Sequence, residues 1–487
     1  GKNLKVNSKN SKNPVYLADV NNDKYPDLVI FSDDSVSVCL SDGGKKFEDA
    51  NEWVKSEFTI DNGYMDNVNN PRFVEDVNGN GMADIVGFSE AGVEIGYNQD
   101  SKFSTAKLVV DGFNAGVGIK SFDKTKNQVF FIDMNKDGKA DVVTFGPKEV
   151  FVALSKGSAL GSPEVWLRSP IKNVSWTKNT LIKVVDLNND GYPDIIAFNP
   201  KGVVIAFNDE GKGFSDAFKD EKSSKLTSGF KYAREQTQAE VVDVNNDDLP
   251  DIVFFGQTTQ VSLNRKGESF YEPKTWSDEF GKGWPKTDSY RWVIDVNNDG
   301  FADIVGIDAK DVRIAINDEG KKFKTSVIQF EKDKQFSKSG GGWSTKTDPR
   351  FMVDMNNDKL PDLVGFSDGK VQISFNEAGS LTDVKDFSTK EMFGKKSGFK
   401  SVDAHPRYVL DMNKDGYADV VGFNDEGVFV ALNKEGKELG DMEKWTSEFA
   451  KLGKNDIGEA HDMNGNGHPD LIVMQYPDIM VAKNDLA

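Results

Sequence analysis

The fold of this chain is decided by the stretch DLNNDGYPD at residues 186–194, which leads directly into the apolar run IIAF at residues 195–198. The pattern Asp-x-Asn-x-Asp/Asn-x-x-x-Asp occurs nine times, at intervals of 51 to 59 residues. Its copies begin at Asp19, Asp76, Asp133, Asp186, Asp243, Asp295, Asp354, Asp411 and Asp462. A repeat that covers all 487 residues predicts one repeat domain, residues 1–487, rather than several unrelated domains.

Each repeat has the pattern of four short strands. A short apolar segment precedes the Asp loop, an apolar run follows it, and after a turn comes an alternating segment such as Val312, Ile314 and Ile316, which usually ends in Asn. A fourth, less regular segment carries aromatic residues, as at Trp276 and Phe280. Alternation with a period of two is typical of strands, and four antiparallel strands per repeat are typical of a propeller blade.

We therefore predict an all-β fold, a β-propeller of nine four-stranded antiparallel blades, with seven or eight blades as the alternative. An open solenoid is the other arrangement that such a repeat allows. The last unit has strand patterns only near residues 471–474 and 479–481 after its loop, whereas residues 1–8 precede the first unit without a partner. We expect residues 1–8 to pair with the last blade and so to close the ring.

The Asp loop has the donor pattern of a calcium site. Side-chain oxygens stand at positions 1, 3, 5 and 9, a backbone carbonyl is available at position 7, and Ca²⁺ takes six to eight such oxygens. Zinc would favour His or Cys, and the chain has only 3 His and 1 Cys. The alternative is an Asx-rich turn without metal. We predict up to nine Ca²⁺ ions, each between the first and second strands of a blade.

The predicted metal-ligating residues are Asp19, Asn21, Asp23, Tyr25, Asp27, Asp76, Asn78, Asn80, Met82, Asp84, Asp133, Asn135, Asp137, Lys139, Asp141, Asp186, Asn188, Asp190, Tyr192, Asp194, Asp243, Asn245, Asp247, Leu249, Asp251, Asp295, Asn297, Asp299, Phe301, Asp303, Asp354, Asn356, Asp358, Leu360, Asp362, Asp411, Asn413, Asp415, Tyr417, Asp419, Asp462, Asn464, Asn466, His468 and Asp470. Asn80 and Asn466 replace the usual aspartate at position 5, so these two loops should bind more weakly. We expect the metal to be chiefly structural.

The overall charge narrows the class of partner. The net charge of −19 argues against nucleic acid, whose partners are basic, and no apolar run is long enough for a membrane helix. The sequence contains no nucleophile motif, no glycine-rich phosphate loop and no His cluster, so we expect no enzymatic activity. Neutral Asn at position 3 suits the millimolar calcium outside cells, and we expect an extracellular, secreted protein.

Two stretches, residues 295–306 and 411–423, resemble the FG-GAP/VCBS repeats of integrin-like calcium-binding propellers. A longer phrase, with GGGW at 340–343, PRFMVD at 349–354 and DLVGF at 362–366, is similar to mushroom lectins of the Psathyrella velutina type. This resemblance implies N-acetylglucosamine-type glycans as ligands, with sialic acid as a further candidate, in shallow pockets between blades. The lectin ring has seven blades, whereas this chain has nine repeats.

The resemblance carries over to a limited set of residues. A Gly followed by an aromatic residue precedes five of the loops, and an Arg precedes four of them. These positions are Gly63-Tyr64, Gly229-Phe230, Gly283-Trp284, Gly342-Trp343 and Gly398-Phe399, with Arg72, Arg291, Arg350 and Arg407. The lectin's His is matched only by His405, and the equivalent positions hold Asn70, Ser289 and Asp348.

The candidate ligand contacts that follow are Trp284, Trp343 and His405, although an aromatic residue at a fixed place in each blade can equally serve packing between blades. We thus expect a multivalent lectin that binds glycans or glycoproteins. The alternative is an adhesion or scaffold propeller that binds a protein partner without catalysis.

Overall fold

A computed structural model describes residues 13–25, 27–43, 46–65, 70–89, 91–111, 128–146, 149–157, 159–168, 180–199, 202–215, 238–281, 283–284, 289–330, 336–402, 405–413 and 415–446. It describes the backbone alone at residues 456–461, 470–475 and 478–482.

The first eight repeats each form one antiparallel sheet, here called blades 1 to 8. Blade 1 contains the strands Val15–Ala18, Asp27–Phe31, Ser35–Cys39 and Asn51–Lys55, and blade 2 contains Arg72–Glu75, Asp84–Phe88, Gly92–Gly96 and Lys107–Asp111. Blade 3 contains Gln128–Ile132, Asp141–Phe145, Glu149–Ala153 and Glu164–Arg168. The described strands of blade 4 are Leu181–Val185, Asp194–Asn199 and Gly202–Ala206. Blade 5 contains Gln238–Val242, Asp251–Phe255, Thr259–Ser262 and Lys274–Ser277, and blade 6 contains Tyr290–Ile294, Asp303–Ile307, Val312–Ala315 and Val327–Ile328. Blade 7 contains Arg350–Val353, Asp362–Phe366, Val371–Ser374 and Lys385–Asp386. Blade 8 contains Arg407–Leu410, Asp419–Asn424, Gly427–Ala431 and Glu443–Thr446.

Short elements complete the described parts of the chain. Two small hairpins pair Asn264–Arg265 with Ser269–Phe270 and Asn376–Glu377 with Ser380–Leu381. The helical turns are an α-helix at Lys338–Gly341 and 3-10 helices at Ile60–Asn62 and Lys395–Ser397. None of the helices described is long and apolar enough to cross a bilayer.

The strands form where the apolar patterns predict them. The second strand of a blade lies in the middle of the sheet, and in blade 6 all five of its residues, Asp303–Ile307, are buried. Such a strand is covered on both faces by neighbouring blades, which is why its apolar run is continuous rather than alternating. The prediction of four antiparallel strands is confirmed in seven of the eight blades, and in blade 4 three strands lie among the described residues.

Blade 8 packs directly against blade 1. Trp445, in the fourth strand of blade 8, lies 5.3 Å from Phe47 of blade 1 between ring centroids. The same contact joins Trp276 of blade 5 to Phe323 of blade 6, at 5.4 Å. One hydrophobic cluster also includes residues of both blade 1 and blade 8. Among the described residues the ring therefore closes with eight blades.

The prediction of nine blades was wrong, and the alternative of eight is correct. The ninth unit forms a three-stranded sheet, Asp456–His461, Asp470–Gln475 and Asp478–Ala482. Its strands contact the first strands of blades 1, 2, 3 and 8 instead of separating blade 8 from blade 1. The number of Asp loops gives the number of repeats, but the packing between neighbouring repeats determines how many of them become blades of the ring. The predicted partner segment, residues 1–8, lies outside the described residues.

The antiparallel order gives the ring two distinct rims. The Asp loop joins the first and second strands, so it lies at one end of the blade, which we call the loop rim. The fourth strand ends at the opposite end, where the segment that leads to the next blade begins; we call this end the connector rim. Contacts such as Ser56 N to Asp34 O, at 2.8 Å, join a connecting segment to the turn between the second and third strands.

Candidate functional sites at the loop rim and the blade seams

Hydrogen bonds within the Asp loop hold its oxygens in place. In blade 6, Asp295 Oδ1 accepts the backbone N–H of Asn297 at 3.1 Å and of Asp299 at 3.3 Å, and its Oδ2 accepts the N–H of Gly300 at 2.8 Å. Asp299 Oδ1 accepts the N–H of Phe301 at 2.9 Å, while Asn297 Nδ2 donates to Asp299 Oδ2 at 2.9 Å. The side chains at positions 1, 3 and 5 thus turn into the loop.

The aspartate at position 9 is fully buried in each of the eight described loops. These residues are Asp27, Asp84, Asp141, Asp194, Asp251, Asp303, Asp362 and Asp419. In blade 6, Asp303 Oδ2 accepts the N–H of Val296 at 3.0 Å, and Oδ1 accepts the N–H of Asn317 at 2.6 Å. Burial raises the pKa of the Asp303 carboxyl to about 7, because water no longer solvates its charge.

In blades 2 to 8, a latch residue at the end of the third strand ties the blade to the loop of the preceding blade. Asn317 of blade 6 donates from Nδ2 to the carbonyl of Val244 in the loop of blade 5 at 2.7 Å, and to Ala302 of its own loop at 2.9 Å. Equivalent bonds cross seven seams. The latch residues are Asn98, Ser155, Asn208, Asn264, Asn317, Asn376 and Asn433.

The loops have the right donor chemistry for calcium, since every side chain that turns inward offers oxygen. The carboxylates are already engaged by backbone N–H groups, but an oxygen that accepts a single such bond, as Asp295 Oδ2 does from Gly300, keeps a second lone pair for a cation. Among the described residues, no three Asp, Glu, His or Cys side chains are grouped as a ready metal site. The predicted ligands Asp462, Asn464, Asn466 and His468 lie outside the described residues, and Asp470 is described only in its backbone. Calcium binding thus stays a prediction.

Four blade seams contain a second recurring arrangement, which we call the seam box. Its members are an Arg and a Gly that pair across the first two strands of a blade and two aromatic residues from the connecting segment. The boxes are Arg72, Gly87, Phe58 and Tyr64; Arg291, Gly306, Phe280 and Trp284; Arg350, Gly365, Phe336 and Trp343; Arg407, Gly422, Phe393 and Phe399.

The glycine makes room for the two aromatic rings. A methyl group at Gly306 would lie 2.6 Å from Phe280 and 2.7 Å from Trp284, closer than carbon atoms approach one another. Phe280 itself has a left-handed backbone with φ of 59°, which aims its carbonyl at Arg291. Arg291 Nη1 donates to that carbonyl at 2.7 Å. The box thus pins the connecting segment to the first strand of the next blade.

Each arginine of a box also reaches back to the preceding blade. The guanidinium carbon of Arg350 lies 4.7 Å from the ring centroid of Tyr290 in blade 6, and that of Arg291 lies 4.8 Å from Phe255 in blade 5. Burial lowers the pKa of Arg291 and Arg407 to about 10, because the charged form loses its solvation. Ring stacking and hydrogen bonding thus hold each guanidinium group in place, so each of these seams contains a fixed polar group beside its aromatic rings.

The predicted ligand-contact residues lie at three different seams. Trp343 is 3% exposed and belongs to the box between blades 6 and 7. Trp284 is half-buried at the seam of blades 5 and 6, and its Nε1 has no hydrogen-bond partner among the described residues. His405 is 6% exposed at the seam of blades 7 and 8, where Lys400 N donates to Nδ1 at 3.2 Å and Asp425 Oδ1 lies 3.4 Å from Nε2. Their contact with a ligand stays a prediction.

The sequence patterns identified the Arg and the Gly-aromatic pair, but they did not identify the left-handed phenylalanine and the cross-strand glycine of each box. The left-handed phenylalanines stand six residues before their aromatic partner at Phe58 and Phe393, seven before it at Phe336 and four before it at Phe280. The cross-strand glycine stands fifteen residues after each Arg, as Gly306 follows Arg291. Aligning the repeats on the Asp loop would have shown this spacing. Gly229-Phe230 lies outside the described residues.

Comparisons with known proteins agree with this architecture. A family model described as an FG-GAP-like repeat matches residues 186–254 and 411–473. The chain is similar to the solved structure of an Agrocybe aegerita lectin that recognises non-reducing terminal N-acetylglucosamine. The two are 28% identical, the match covers 78% of this chain and 94% of the lectin, and the TM-score is 0.59. No curated protein matches the sequence.

Weaker structural likenesses extend to proteins of other kinds. A rhamnogalacturonan lyase of Bacillus licheniformis is 10% identical over 98% of this chain and 72% of its own, with a TM-score of 0.33. A biofilm matrix protein of V. cholerae is 10% identical over 99% and 88%, also with a TM-score of 0.33. These values are too low to carry a functional argument. The chain is an eight-bladed β-propeller in which two segments match an FG-GAP-like repeat, and it is similar to the Agrocybe aegerita lectin.

Proposed function

We propose that this protein is a multivalent carbohydrate-binding propeller, a lectin for glycans that end in N-acetylglucosamine, stabilised by calcium at the loop rim. The observation that carries the sugar proposal is the 28% identity to a lectin of that specificity across 78% of the chain. The repetition of one seam box in four blades supports several similar sites on one molecule.

The seams suit a sugar ligand chemically. A pyranose ring offers an apolar face for aromatic stacking, and its hydroxyl and acetamide groups need a few fixed polar partners. Trp284 lies half-buried at such a seam, and fixed guanidinium groups and backbone carbonyls stand beside the aromatic rings of each box. Single sites of this kind bind weakly, and several on one ring gain avidity on clustered glycans.

A glycan array in calcium-containing buffer tests the sugar proposal. We expect signal on glycans with non-reducing terminal N-acetylglucosamine, and a loss of signal when that sugar is capped by galactose. Binding to no glycan at all would contradict the proposal and would favour a propeller that recognises a protein surface.

Calcium is the cation that the loop rim would take best. Positions 1, 3, 5 and 9 of the described loops, as in Asp295, Asn297, Asp299 and Asp303, would supply the side-chain oxygens, and the position-7 carbonyl a further one. A bound Ca²⁺ would offset the repulsion between neighbouring carboxylates and so stabilise the loop. Equilibrium dialysis followed by metal analysis tests this. We expect several Ca²⁺ per chain. If the chain retains none at millimolar calcium, the calcium proposal is refuted, whereas the sugar proposal is unaffected.

A further inference from the structure

The eight blades differ in the residue pair that joins their first two strands at the end nearest the connector rim. Blades 2, 6, 7 and 8 have the Arg and Gly of the seam box at this place. Blades 1, 3, 4 and 5 instead pair Val15 with Ile30, Val129 with Thr144, Ile182 with Ala197 and Ala239 with Phe254. These blades have no glycine to make room for two rings and no arginine to hold a connecting segment.

The four boxes lie along one part of the ring. Three of them occupy consecutive seams, between blades 5 and 6, 6 and 7, and 7 and 8. The fourth joins blades 1 and 2, separated from the others by the single seam at which Trp445 meets Phe47. The remaining three seams, from blade 2 to blade 5, are contiguous, and their described strands have no Arg–Gly pair at this place. The boxed seams therefore form one arc of the connector rim.

In the boxed seams, hydrogen bonds link the arginine to the preceding blade as well as to its own connecting segment. Arg407 donates to the carbonyl of Phe393 at 3.1 Å and to that of Thr347 at 3.0 Å, so that two consecutive connecting segments are joined. Arg291 donates to Gln238 of blade 5 at 3.2 Å, and Arg72 donates to Asn13 of blade 1 at 3.2 Å. A preorganised seam loses little conformational entropy when a ligand binds.

We propose that sugar recognition is confined to the four boxed seams, so that the protein presents its sites along one arc and not around the whole ring. This inference rests on the proposed lectin function. The partner that fits is a branched glycan or a surface with several non-reducing terminal N-acetylhexosamines on one side of the propeller. Closely spaced sites gain most from a clustered ligand, because the second binding event becomes intramolecular.

Crystals of the full chain soaked with N-acetylglucosamine test the arc directly. We expect sugar density at the four boxed seams and none at the seams from blade 2 to blade 5. Equal occupancy at boxed and unboxed seams would overturn the inference while leaving the lectin proposal intact. A chain without sugar in any crystal seam and without signal on the array would overturn the lectin proposal itself.

A pair of variants tests the role of the box residues. Arg350→Ala removes the guanidinium of one box, and Ile182→Ala truncates the side chain at the same strand position of an unboxed blade. We expect Arg350→Ala to abolish sugar density at the seam of blades 6 and 7 only, and Ile182→Ala to abolish none. Full density at that seam in Arg350→Ala would refute the assignment. Arg291→Ala repeats the test at the half-buried arginine, in case the first variant fails to fold.

Discussion

The latch residues concentrate much of the inter-blade polar contact in single side chains. Asn317 is 2% exposed, and its amide satisfies two carbonyl groups that belong to two different blades. The seam between blades 2 and 3 uses Ser155 instead, whose hydroxyl donates to Val77 of the preceding loop. A serine can make the bond across the seam but not both bonds at once, because it has a single donor.

We predict that Asn317→Ala lowers the free energy of unfolding by about 1 to 3 kcal/mol, since two buried carbonyls lose their donor. Asn317→Ser copies the natural residue of another seam and should lose less. Urea unfolding followed by tryptophan fluorescence measures both. Equal stability of Asn317→Ala and the unchanged protein would show that the latch contributes nothing.

The glycines of the seam boxes leave no room for a larger side chain, so we predict that replacing one destabilises the protein. Gly306→Ala places a methyl group 2.6 Å from Phe280, and such overpacking lowers the free energy of unfolding by about 1 to 3 kcal/mol. Gly369→Ala is the control, because its nearest neighbour would be Glu391 at 3.5 Å, an ordinary contact. Thermal unfolding compares the two variants, and equal melting temperatures would contradict the packing described for the box.

At the scale of the blade, the sequence pattern predicts most of what the structure contains. The continuous apolar run after the loop and the alternating third segment, as at Val312 and Ile314, identify strands correctly because each pattern reflects how many faces a strand buries. The loop lies between the first two strands, as predicted. The seam box was only half predicted, since the pairing of Arg291 with Gly306 depends on strand register, which no single strand pattern reveals.

The loop is the element at which calcium should act. If each bound ion stabilises the folded chain, removing it lowers stability by about 2.7 kcal/mol per site at a free calcium concentration of 100 times Kd. We therefore predict that excess chelator lowers the melting temperature measured by calorimetry. Asp299→Asn, which copies the natural Asn80 of blade 2, should reduce the number of bound Ca²⁺ ions or weaken one of them. A melting curve that chelator leaves unchanged would exclude a structural role for calcium.

At the scale of the whole molecule, ring closure decides how many repeats become blades. The ninth loop has nearly the same signature as the others, so the repeat pattern alone could not distinguish eight blades from nine. The decisive contact, Trp445 against Phe47, joins residues almost four hundred positions apart. Nothing in the local pattern of either residue indicates that contact.

Because blade 8 packs against blade 1, the seam between them should contribute about as much stability as the seam between blades 5 and 6. Trp445 and Trp276 are each 6% exposed and make the same ring contact with the next blade. Trp445→Ala and Trp276→Ala should therefore destabilise the protein by similar amounts, about 3 to 5 kcal/mol each. Urea unfolding of both variants measures the difference. A much smaller loss for Trp445→Ala would mean that blade 8 does not pack against blade 1.

The molecule as a whole thus separates two tasks. The loop rim carries the acidic loops and the latches that join neighbouring blades, whereas the connector rim carries the boxed seams and the proposed sugar sites. This division implies that a defect at one loop weakens the fold before it alters recognition.

Isothermal calorimetry of the full chain with a disaccharide that ends in non-reducing N-acetylglucosamine tests both the lectin function and the number of sugar sites. We predict saturable heat in calcium buffer, with about four sugars per chain, one for each boxed seam. A galactose-terminated disaccharide serves as the control and should give no heat. Absence of heat with the first sugar, at concentrations where a weak lectin site would saturate, would show that the chain is not a lectin for terminal N-acetylglucosamine.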